Sequence, residues 1–263
     1  MHKNNISFYW IVAFFAFAVC GGLLPEYIYS NVNVMERLQG MSFKHLLGTD
    51  IFGRDVFLRI VRGAYNVMLV ALPSVCIGML IGGGVGLMSA YKKSNLRYVI
   101  GGIMDILFAF PVILLALVLV ARYGSHPLIA TATLSIFFIP VFYRVVYMTA
   151  RSLYKMDYIT SARLSGLTGF EITYKHILSN MKPILSTQFS VQLAMAILAE
   201  AGLGYLGLSV KSPDPTWGSF LLDAQNLIFV NAWFSVPIGS VIFLTVWSLI
   251  SVGDSVYKNE NMS

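Results

Sequence analysis

Charged residues are scarce in this chain of 263 residues. Asp, Glu, Lys and Arg make up only 11% of it, whereas soluble domains carry about 25%. So little charge cannot cover the surface of a soluble globule, and together with 57% hydrophobic residues it indicates a membrane protein. Cysteine is also rare. Cys20 and Cys76 both lie in apolar runs and are expected to be small packing residues, not a disulfide or a metal pair.

A phosphate-binding loop is missing as well. The glycine run IGGGVG at 81–86 follows no strand pattern, and no Gly-Lys-Ser/Thr occurs anywhere in the chain. Small residues that let two helices approach closely explain this run better than a nucleotide site. The sequence also shows no nucleophile–base set and no metal cluster. We therefore predict that the chain is not an enzyme and has no catalytic residue, metal site or bound cofactor.

Six apolar stretches are long enough to cross a membrane, which takes about 20 residues. They cover approximately residues 8–24, 66–90, 98–121, 127–148, 184–208 and 233–253. Prolines at 73, 111, 140 and 237 fall within these stretches and predict kinks that neighbouring helices can tolerate. The pattern predicts an all-α polytopic membrane protein with six transmembrane helices.

The basic residues predict the orientation of these helices. With the N-terminus inside, the inner segments hold ten Lys and Arg residues and the outer segments six or seven. The bias is clearest at 91–97 and 151–182, and it puts both termini in the cytoplasm. The net charge of +6 then reflects residues that face the cytoplasm and anionic lipid, not nucleic-acid binding.

The polar block 151–183 carries an orderly set of helix signals. Asp157 is predicted to cap a short helix that Gly166 ends. Thr168 and Glu171 form a capping-box pattern that opens a second helix, and Pro183 is predicted to begin the fifth span. Two capped amphipathic helices favour a docking element over an ordinary connector.

Two outer segments are also patterned. Asp50 is predicted to cap an amphipathic helix that ends at Gly63, with Asp55 and Arg59 paired four residues apart. The segment 213–218, of sequence PDPTWG, predicts a rigid turn with Trp217 at the membrane interface.

Three ionisable residues lie in or near the spans, and such residues are functional hypotheses by default. Asp105 and Arg144 lie toward the cytoplasmic ends, where snorkelling or mutual pairing would explain them. Glu200 lies deeper and is expected to line a pathway or face a partner subunit.

Three separated passages together resemble one family. The block containing SARLSG and HILSN resembles the EAA coupling loop of the permeases of binding-protein-dependent ABC importers, in its peptide/nickel branch. HLLGTDIFGRDVFLRIVRGAYNVML at 45–69 and LGYLGLSVKSPDPTWGSFLLDA at 203–224 resemble two further signatures of that branch. The chain departs from the pattern at the start of the loop, where the acid is missing, and at Ser179, where proline is typical.

The resemblance implies a type I ABC importer permease fold and a set of site residues. It divides the chain into residues 1–62 (a transmembrane helix and an extracytoplasmic amphipathic segment), the transmembrane domain 63–254 with coupling loop 151–183, and a cytoplasmic tail 255–263. The implied ATPase-coupling residues are Thr160, Ser161, Ala162, Gly166, Gly169 and Glu171. The implied extracytoplasmic signature is Gly48, Thr49, Asp50, Gly53, Arg54, Asp55, Pro213, Pro215, Trp217 and Gly218. Its first part either holds the rim of the transport core or meets a binding protein, and its second part either shapes the outer gate or meets that protein.

The resemblance also implies partners in a bacterial cytoplasmic membrane. These are a second homologous permease, two ATPase subunits that bind ATP and Mg, an extracytoplasmic solute-binding protein and membrane lipid, with no nucleic acid. The implied cargo is a di- or oligopeptide, nickel or a metal chelate, and the compact length favours the metal end. The alternative is an ion-gradient-driven secondary transporter that uses Asp105 and Glu200 as coupling acids.

Overall fold

The computed structural model describes residues 2–91, 95–211, 213–225 and 235–260. Helices dominate these ranges, and no strand forms within them. The helices are α1 (His2–Leu23), α2 (Glu26–Ser30), α3 (Val56–Tyr91), α4 (Leu96–Ala109), α5 (Val112–Tyr123), α6 (Pro127–Leu153), α7 (Asp157–Leu164), α8 (Gly169–Glu171), α9 (Leu178–Tyr205), α10 (Trp217–Gln225) and α11 (Val236–Glu260). A 3₁₀ turn covers Val34–Glu36, and a π-helical segment, Ile172–Ile177, joins α8 to α9.

The predicted spans correspond to five long apolar helical segments and one bent pair. The pair is α4 and α5, which meet at 80° across Pro111, so the predicted break at this proline is confirmed. Pro73 and Pro140 lie inside α3 and α6. Pro237 is the second residue of α11 and so marks a helix start, where a proline sacrifices no hydrogen bond, and not a kink. Positions 233 and 234 of the predicted sixth span lie outside the described residues.

Two helical segments are longer than the sequence predicts. α3 has 36 residues and the continuous run Gly169–Tyr205 has 37, so each extends about 55 Å, well beyond the ~30 Å of hydrocarbon. The predicted separate outer helix ending at Gly63 is wrong, because α3 begins at Val56 and passes through Gly63 unbroken. The predicted start of span five at Pro183 is also wrong, because this proline lies inside α9.

Glycines bring α3 and α6 together. Gly78, Gly82 and Gly86 are spaced four residues apart and share one side of α3. A Cβ at Gly82 would overlap the carbonyl oxygen of Ile139, and one at Gly86 would lie 2.8 Å from the carbonyl oxygen of Tyr143. The predicted role of the glycine run in close helix approach is therefore confirmed. This helix pair has the most extensive contact in the described part of the molecule.

Two apolar clusters organise the packing. The larger one runs through α1, α3, α6, α9, α10 and α11 and includes the fully buried Phe138, Phe142 and Trp217. The smaller one lies at the opposite end of the helices, beneath α7, and includes Ile159, Ile177 and other residues of the block 151–183. The polar block is thus anchored to the bundle by a core of its own.

Candidate functional site

The turn after α7 has the predicted form. The N–H groups of Gly166 and Leu167 donate to the carbonyls of Arg163 and Ala162 at 3.0 and 3.2 Å, which is a Schellman motif. Gly166 has a φ of +83°, a conformation that favours glycine, so the predicted helix stop is confirmed. The predicted cap is shifted by one residue. Asp157 is the first helical residue, where its carboxylate favours the helix N-terminus, and Met156 takes the capping position without a side-chain bond.

The capping box after this turn is present. The Thr168 N–H donates to Glu171 Oε2 at 2.9 Å, and the Glu171 N–H donates to Thr168 Oγ1 at 3.3 Å. The helix that starts here does not end in the block. It continues through the π-helical segment into α9, so the expected second short helix is the N-terminal end of the long run Gly169–Tyr205.

Buried side chains hold α7 against this long helix and against α6. The members of this cluster are Val146, Ala150, Ile159, Ala162, Ile172, Ile177 and Met181. A hydrogen bond of 2.6 Å between Tyr154 Oη and Thr173 Oγ1 adds a polar tie. Gly169 lies directly against the Tyr91 side chain at the end of α3, since a Cβ at this position would displace the Tyr91 hydroxyl. The block is therefore a fixed extension of three long helices.

The exposed surface of the block differs from the one implied by the resemblance. Thr160, Ser161 and Gly166 are exposed, whereas Ala162 is buried in the cluster and does not reach the surface. The surface also carries large apolar residues that sequence reasoning missed. Leu164, Phe170 and Tyr174 are 86%, 80% and 65% exposed, and the Phe170 and Tyr174 rings stack with centroids 6.4 Å apart. Their apolar type within an otherwise polar block is the signal that would have identified them.

Asp50 is the centre of a buried charge network at the other end of the molecule. Its carboxylate accepts from the Phe52 N–H at 2.8 Å and from the Arg54 N–H and Nε at 3.0 and 2.6 Å. It also pairs with Arg59 Nη1. The prediction that Asp50 caps an outer helix is wrong, because it instead closes the turn 50–54 ahead of α3.

Asp223 of α10 completes this network. It lies 3.3 Å from Arg59 Nη2 and 3.5 Å from Arg54 Nη2, so two carboxylates balance two guanidinium groups. Burial raises the pKa of Asp223, while the two arginines oppose that shift. Arg59 is almost fully buried, so the two carboxylates are needed to stabilise its positive charge away from water.

The predicted Asp55–Arg59 side-chain pair does not form. Asp55 Oδ1 instead accepts from the Leu58 N–H at 3.0 Å and so caps α3, and Asp55 Oδ2 lies 2.8 Å from His45 Nδ1. Gly48 and Gly53 both have φ near +75°, and a Cβ at Gly53 would overlap the Asn33 carbonyl oxygen. Thr49 is buried and its hydroxyl accepts from the Gln39 N–H at 2.9 Å. These residues fold the segment 33–55 tightly onto the start of α3.

The second outer signature packs on the first, although some 160 residues separate them in the chain. Arg62 pairs with Asp214 at 3.2 Å, and Asn66 Nδ2 donates to the Pro215 carbonyl at 2.7 Å. Pro213 opens this turn, and Gly218 lets it approach α9, since a Cβ there would overlap the carbonyl oxygen of Ala201.

Trp217 does not face lipid, contrary to its predicted place at the membrane interface. It is fully buried, donates from Nε1 to the Ile60 carbonyl at 3.1 Å and packs on Phe14, with ring centroids 5.5 Å apart. Gly63 makes room for it, because a Cβ at that position would lie 2.9 Å from the indole. The tryptophan therefore locks α1, α3 and α10 together.

The three predicted intramembrane charges separate into two arrangements. Asp105 and Arg144 form an ion pair of 2.9 Å on an open surface between α4 and α6. Glu200 does not face a pathway or a partner, because its side chain is fully buried within the chain. Its Oε1 accepts from Ser209 Oγ at 2.8 Å and thereby ties the turn after α9 to the helix. The two acids that the ion-gradient alternative requires thus have unlike surroundings.

Comparison with known proteins identifies the class of this fold. Residues 82–259 match the family described as "Binding-protein-dependent transport system inner membrane component". The chain belongs to this family, and it is therefore a multi-pass membrane component of a transport system, not an enzyme.

Individual relatives show which branch of this family the chain belongs to. The chain is 35% identical to a dipeptide transport system permease protein, DppC, of Alkalihalophilus pseudofirmus, over 97% of this chain and 85% of the relative. It is 34% identical to a glutathione transport system permease protein, GsiD, of Pectobacterium atrosepticum, over 94% and 82%. Its fold is similar to inward-facing structures of the MetNI methionine ABC transporter, with a TM-score of 0.66 and 18% identity over 77% of this chain and 96% of that one. The predicted peptide/nickel-class ABC permease, with its type I fold, is confirmed.

Proposed function

We propose that this chain is the permease subunit of an ATP-driven importer and forms half of a pathway for short peptides. ATP and Mg bind to two separate ATPase subunits, and a second homologous permease supplies the other half of the pathway. The observation that carries this proposal is the block 151–183, whose rigid frame exposes the large apolar side chains of Leu164, Phe170 and Tyr174. Large apolar side chains exposed in a polar segment are typical of a protein–protein contact.

The coupling surface is built to transmit movement. α7 follows α6 after a short turn, and the capping box begins the same helical run that becomes α9. Because the buried cluster joins both helices to α3, an ATPase that shifts this block displaces three long helices together. The exposed Thr160, Ser161 and Gly166 would lie on the same docking surface, with Gly169 and Glu171 shaping the turn that presents it.

The packing supports a topology in which both termini are cytoplasmic. Gly21 at the end of α1 lies against Val61 near the start of α3, far from the coupling block, so the start of α1 lies on the coupling side. The Gly253 carbonyl near the end of α11 accepts from Thr187 Oγ1 in the coupling half of α9, at 3.0 Å. The buried charge network around Asp50 then lies on the extracytoplasmic side. Lys92 and Lys93, which contribute to the charge bias, lie outside the described residues.

The extracytoplasmic network is suited to present a docking surface for a solute-binding protein. The loop 32–46 exposes a set of apolar side chains, namely Val32, Val34, Met35, Met41, Phe43 and Leu46. The turn 48–55 and its buried ion pairs hold this loop on α3. The names of the relatives support short peptides as cargo. The compact length of the chain had favoured nickel or a metal chelate, but no relative reported above is named for nickel.

Loss of the exposed apolar surface tests the coupling role. In the transporter assembled with its ATPases, we expect Leu164→Ser together with Phe170→Ser to weaken ATPase co-purification at least tenfold, since burying one such side chain contributes about 1.5–3 kcal/mol. The matched control is Met35→Ser, which removes an exposed apolar side chain at the other end of the molecule. Unchanged ATPase retention in the double variant would contradict the proposed docking surface.

The energy source has its own test. Uptake of a labelled dipeptide into vesicles should require ATP at the ATPase face and the binding protein at the other face. An imposed ion gradient without ATP should produce no uptake. Uptake driven by the gradient alone would favour the secondary-transport alternative and refute the importer proposal, whatever the docking experiment shows.

A further inference from the structure

An open groove between α4 and α6 carries an excess of positive charge. Its volume is about 590 Å³, and its charged lining residues are Arg97, Asp105, Arg144, Arg151 and Lys155. Four cations against one acid leave a net charge of +3. The acid is engaged with one of the arginines, through the 2.9 Å pair of Asp105 and Arg144. Three cations of the groove, Arg97, Arg151 and Lys155, therefore have no acid to pair with among its lining residues.

These three cations lack acidic partners in the part of the chain that the structure describes. Arg97, Arg151 and Lys155 form no ion pair there. The arginines contact tyrosines instead: Arg97 Nη2 donates to Tyr98 Oη at 2.8 Å, and Arg151 Nη1 donates to Tyr147 Oη at 3.0 Å. The Nε of Arg97 is shielded from solvent and has no hydrogen-bond partner among the described residues. Because tyrosine hydroxyls are neutral, these contacts leave the positive charges of Arg97 and Arg151 uncompensated among the described residues.

The surroundings of the groove suit a lipid. Val99, Ile103 and Ile106 form a stripe along α4 beside the groove, and each is at least half exposed. Met148 adds exposed apolar surface from α6. An anionic phospholipid requires this combination, since its phosphate pairs with Arg and Lys at the membrane boundary while its acyl chains lie along apolar helix surface.

Two glycines leave open space in the α4 wall of the groove, between Tyr98 and Asp105. Gly101 and Gly102 both line it, and a Cβ at Gly102 would have no neighbour within 4 Å. The opposite wall carries Tyr143 and Tyr147, whose stacked rings are 5.7 Å apart, and tyrosine is enriched at headgroup depth in membrane proteins. This leaves room for a headgroup between two helices.

We propose that this groove binds the phosphate-bearing headgroup of an anionic phospholipid, with Arg97, Arg151 and Lys155 as its ligands. Lys155 lies two residues before α7, so the bound lipid would bridge α4 and α6 at the base of the block 151–183. In the proposed topology the groove lies in the cytoplasmic leaflet, and this placement alone rests on the proposed function. The lipid site itself does not depend on cargo or on ATP.

The test measures association of spin-labelled phosphatidylglycerol and phosphatidylcholine with the full chain in lipid nanodiscs. We expect a preference for phosphatidylglycerol that falls about fivefold for each groove cation changed to Gln and is lost in R97Q/R151Q/K155Q. The matched control R37Q/R122Q/K211Q removes the same charge outside the groove and should keep the preference. Gly102→Leu should reduce it with every charge intact, because the side chain fills the groove.

Several outcomes would overturn the proposal. One is equal affinity of the natural chain for the two lipids, and another is an equal loss in the two triple variants, which would show a bulk charge effect. Displacement of the labelled lipid by glycerol phosphate would identify a soluble phosphate ligand instead. Displacement by a dipeptide would place the groove on the cargo route.

Discussion

Removal of Asp50, the central acid of the buried charge network, should destabilise this protein strongly. In Asp50→Asn the side chain keeps an acceptor for backbone N–H groups but places an amide donor or a neutral oxygen against Arg54 and Arg59. Arg59 is almost fully buried, and breaking a buried pair by removing one partner costs about 3–5 kcal/mol. Asp223 still lies 3.3 Å from Arg59, so we expect the lower end, about 3 kcal/mol.

Asp223→Asn is the informative comparison. The Asp223 side chain is 27% exposed and its two ion pairs are longer, so its loss should cost only about 1 kcal/mol. With about 2–4 °C per kcal/mol for a chain of this size, the melting temperature should fall by about 6–12 °C in Asp50→Asn and about 2–4 °C in Asp223→Asn. The double variant Asp50→Asn/Arg59→Met should recover part of the loss, because it removes the uncompensated charge.

Tryptophan fluorescence during heating of the purified chain in detergent is a suitable assay, since Trp217 is buried beside the network and bonded to Ile60. Glu26→Gln serves as control, because this acid is exposed in the first turn of α2. The reasoning about buried charge would be refuted if Asp50→Asn and Asp223→Asn melted at the same temperature, or if the double variant were less stable than Asp50→Asn alone.

Three further variants test backbone strain, helix approach and a buried hydroxyl. Gly53→Ala should lower stability by about 1–2 kcal/mol, because the positive φ of Gly53 and an overlap with backbone both disfavour a Cβ. Gly40→Ala, with open space around it, should leave the thermal melt unchanged. Gly82→Leu should separate α3 from α6 and reduce the yield of folded monomer on size-exclusion chromatography, and Gly84→Leu should not; similar yields would refute the close-contact interpretation. Burial, together with the hydrogen bond to Asp214, raises the pKa of Tyr29 to about 12. The protonated hydroxyl therefore stabilises the fold fully below pH 10, and this contribution is lost as the pH rises toward 12. Tyr29→Phe should flatten this part of the stability curve between pH 9 and 12, and an unchanged slope would refute the assignment.

Local hydrogen bonding explains which predictions succeeded. The Schellman turn at Gly166 and the capping box of Thr168 and Glu171 involve residues at most five positions apart, so the sequence itself contains both partners. The bend at Pro111 is also local, because proline lacks the N–H that would continue the helix. The glycines of α3 mark a helix surface without side chains, although the α6 residues that pack on it are more than fifty positions away.

Asp50 shows where this reasoning reaches its limit. An aspartate ahead of a helical pattern resembles a cap, but the same carboxylate can accept from N–H groups two and four residues on and close a turn. Which arrangement forms depends on Arg59 and on Asp223, which comes from the far end of the chain.

The sequence by itself determined that this is an all-α membrane protein with six apolar spans and a capped polar block, because length, periodicity and capping act over a few residues. Only the tertiary structure decided that Trp217 is buried between three helices, that one carboxylate oxygen of Glu200 accepts from Ser209, and that Leu164 and Phe170 remain exposed. A side chain's burial depends on which distant helix packs against it, and that information exists only once the helices have come together.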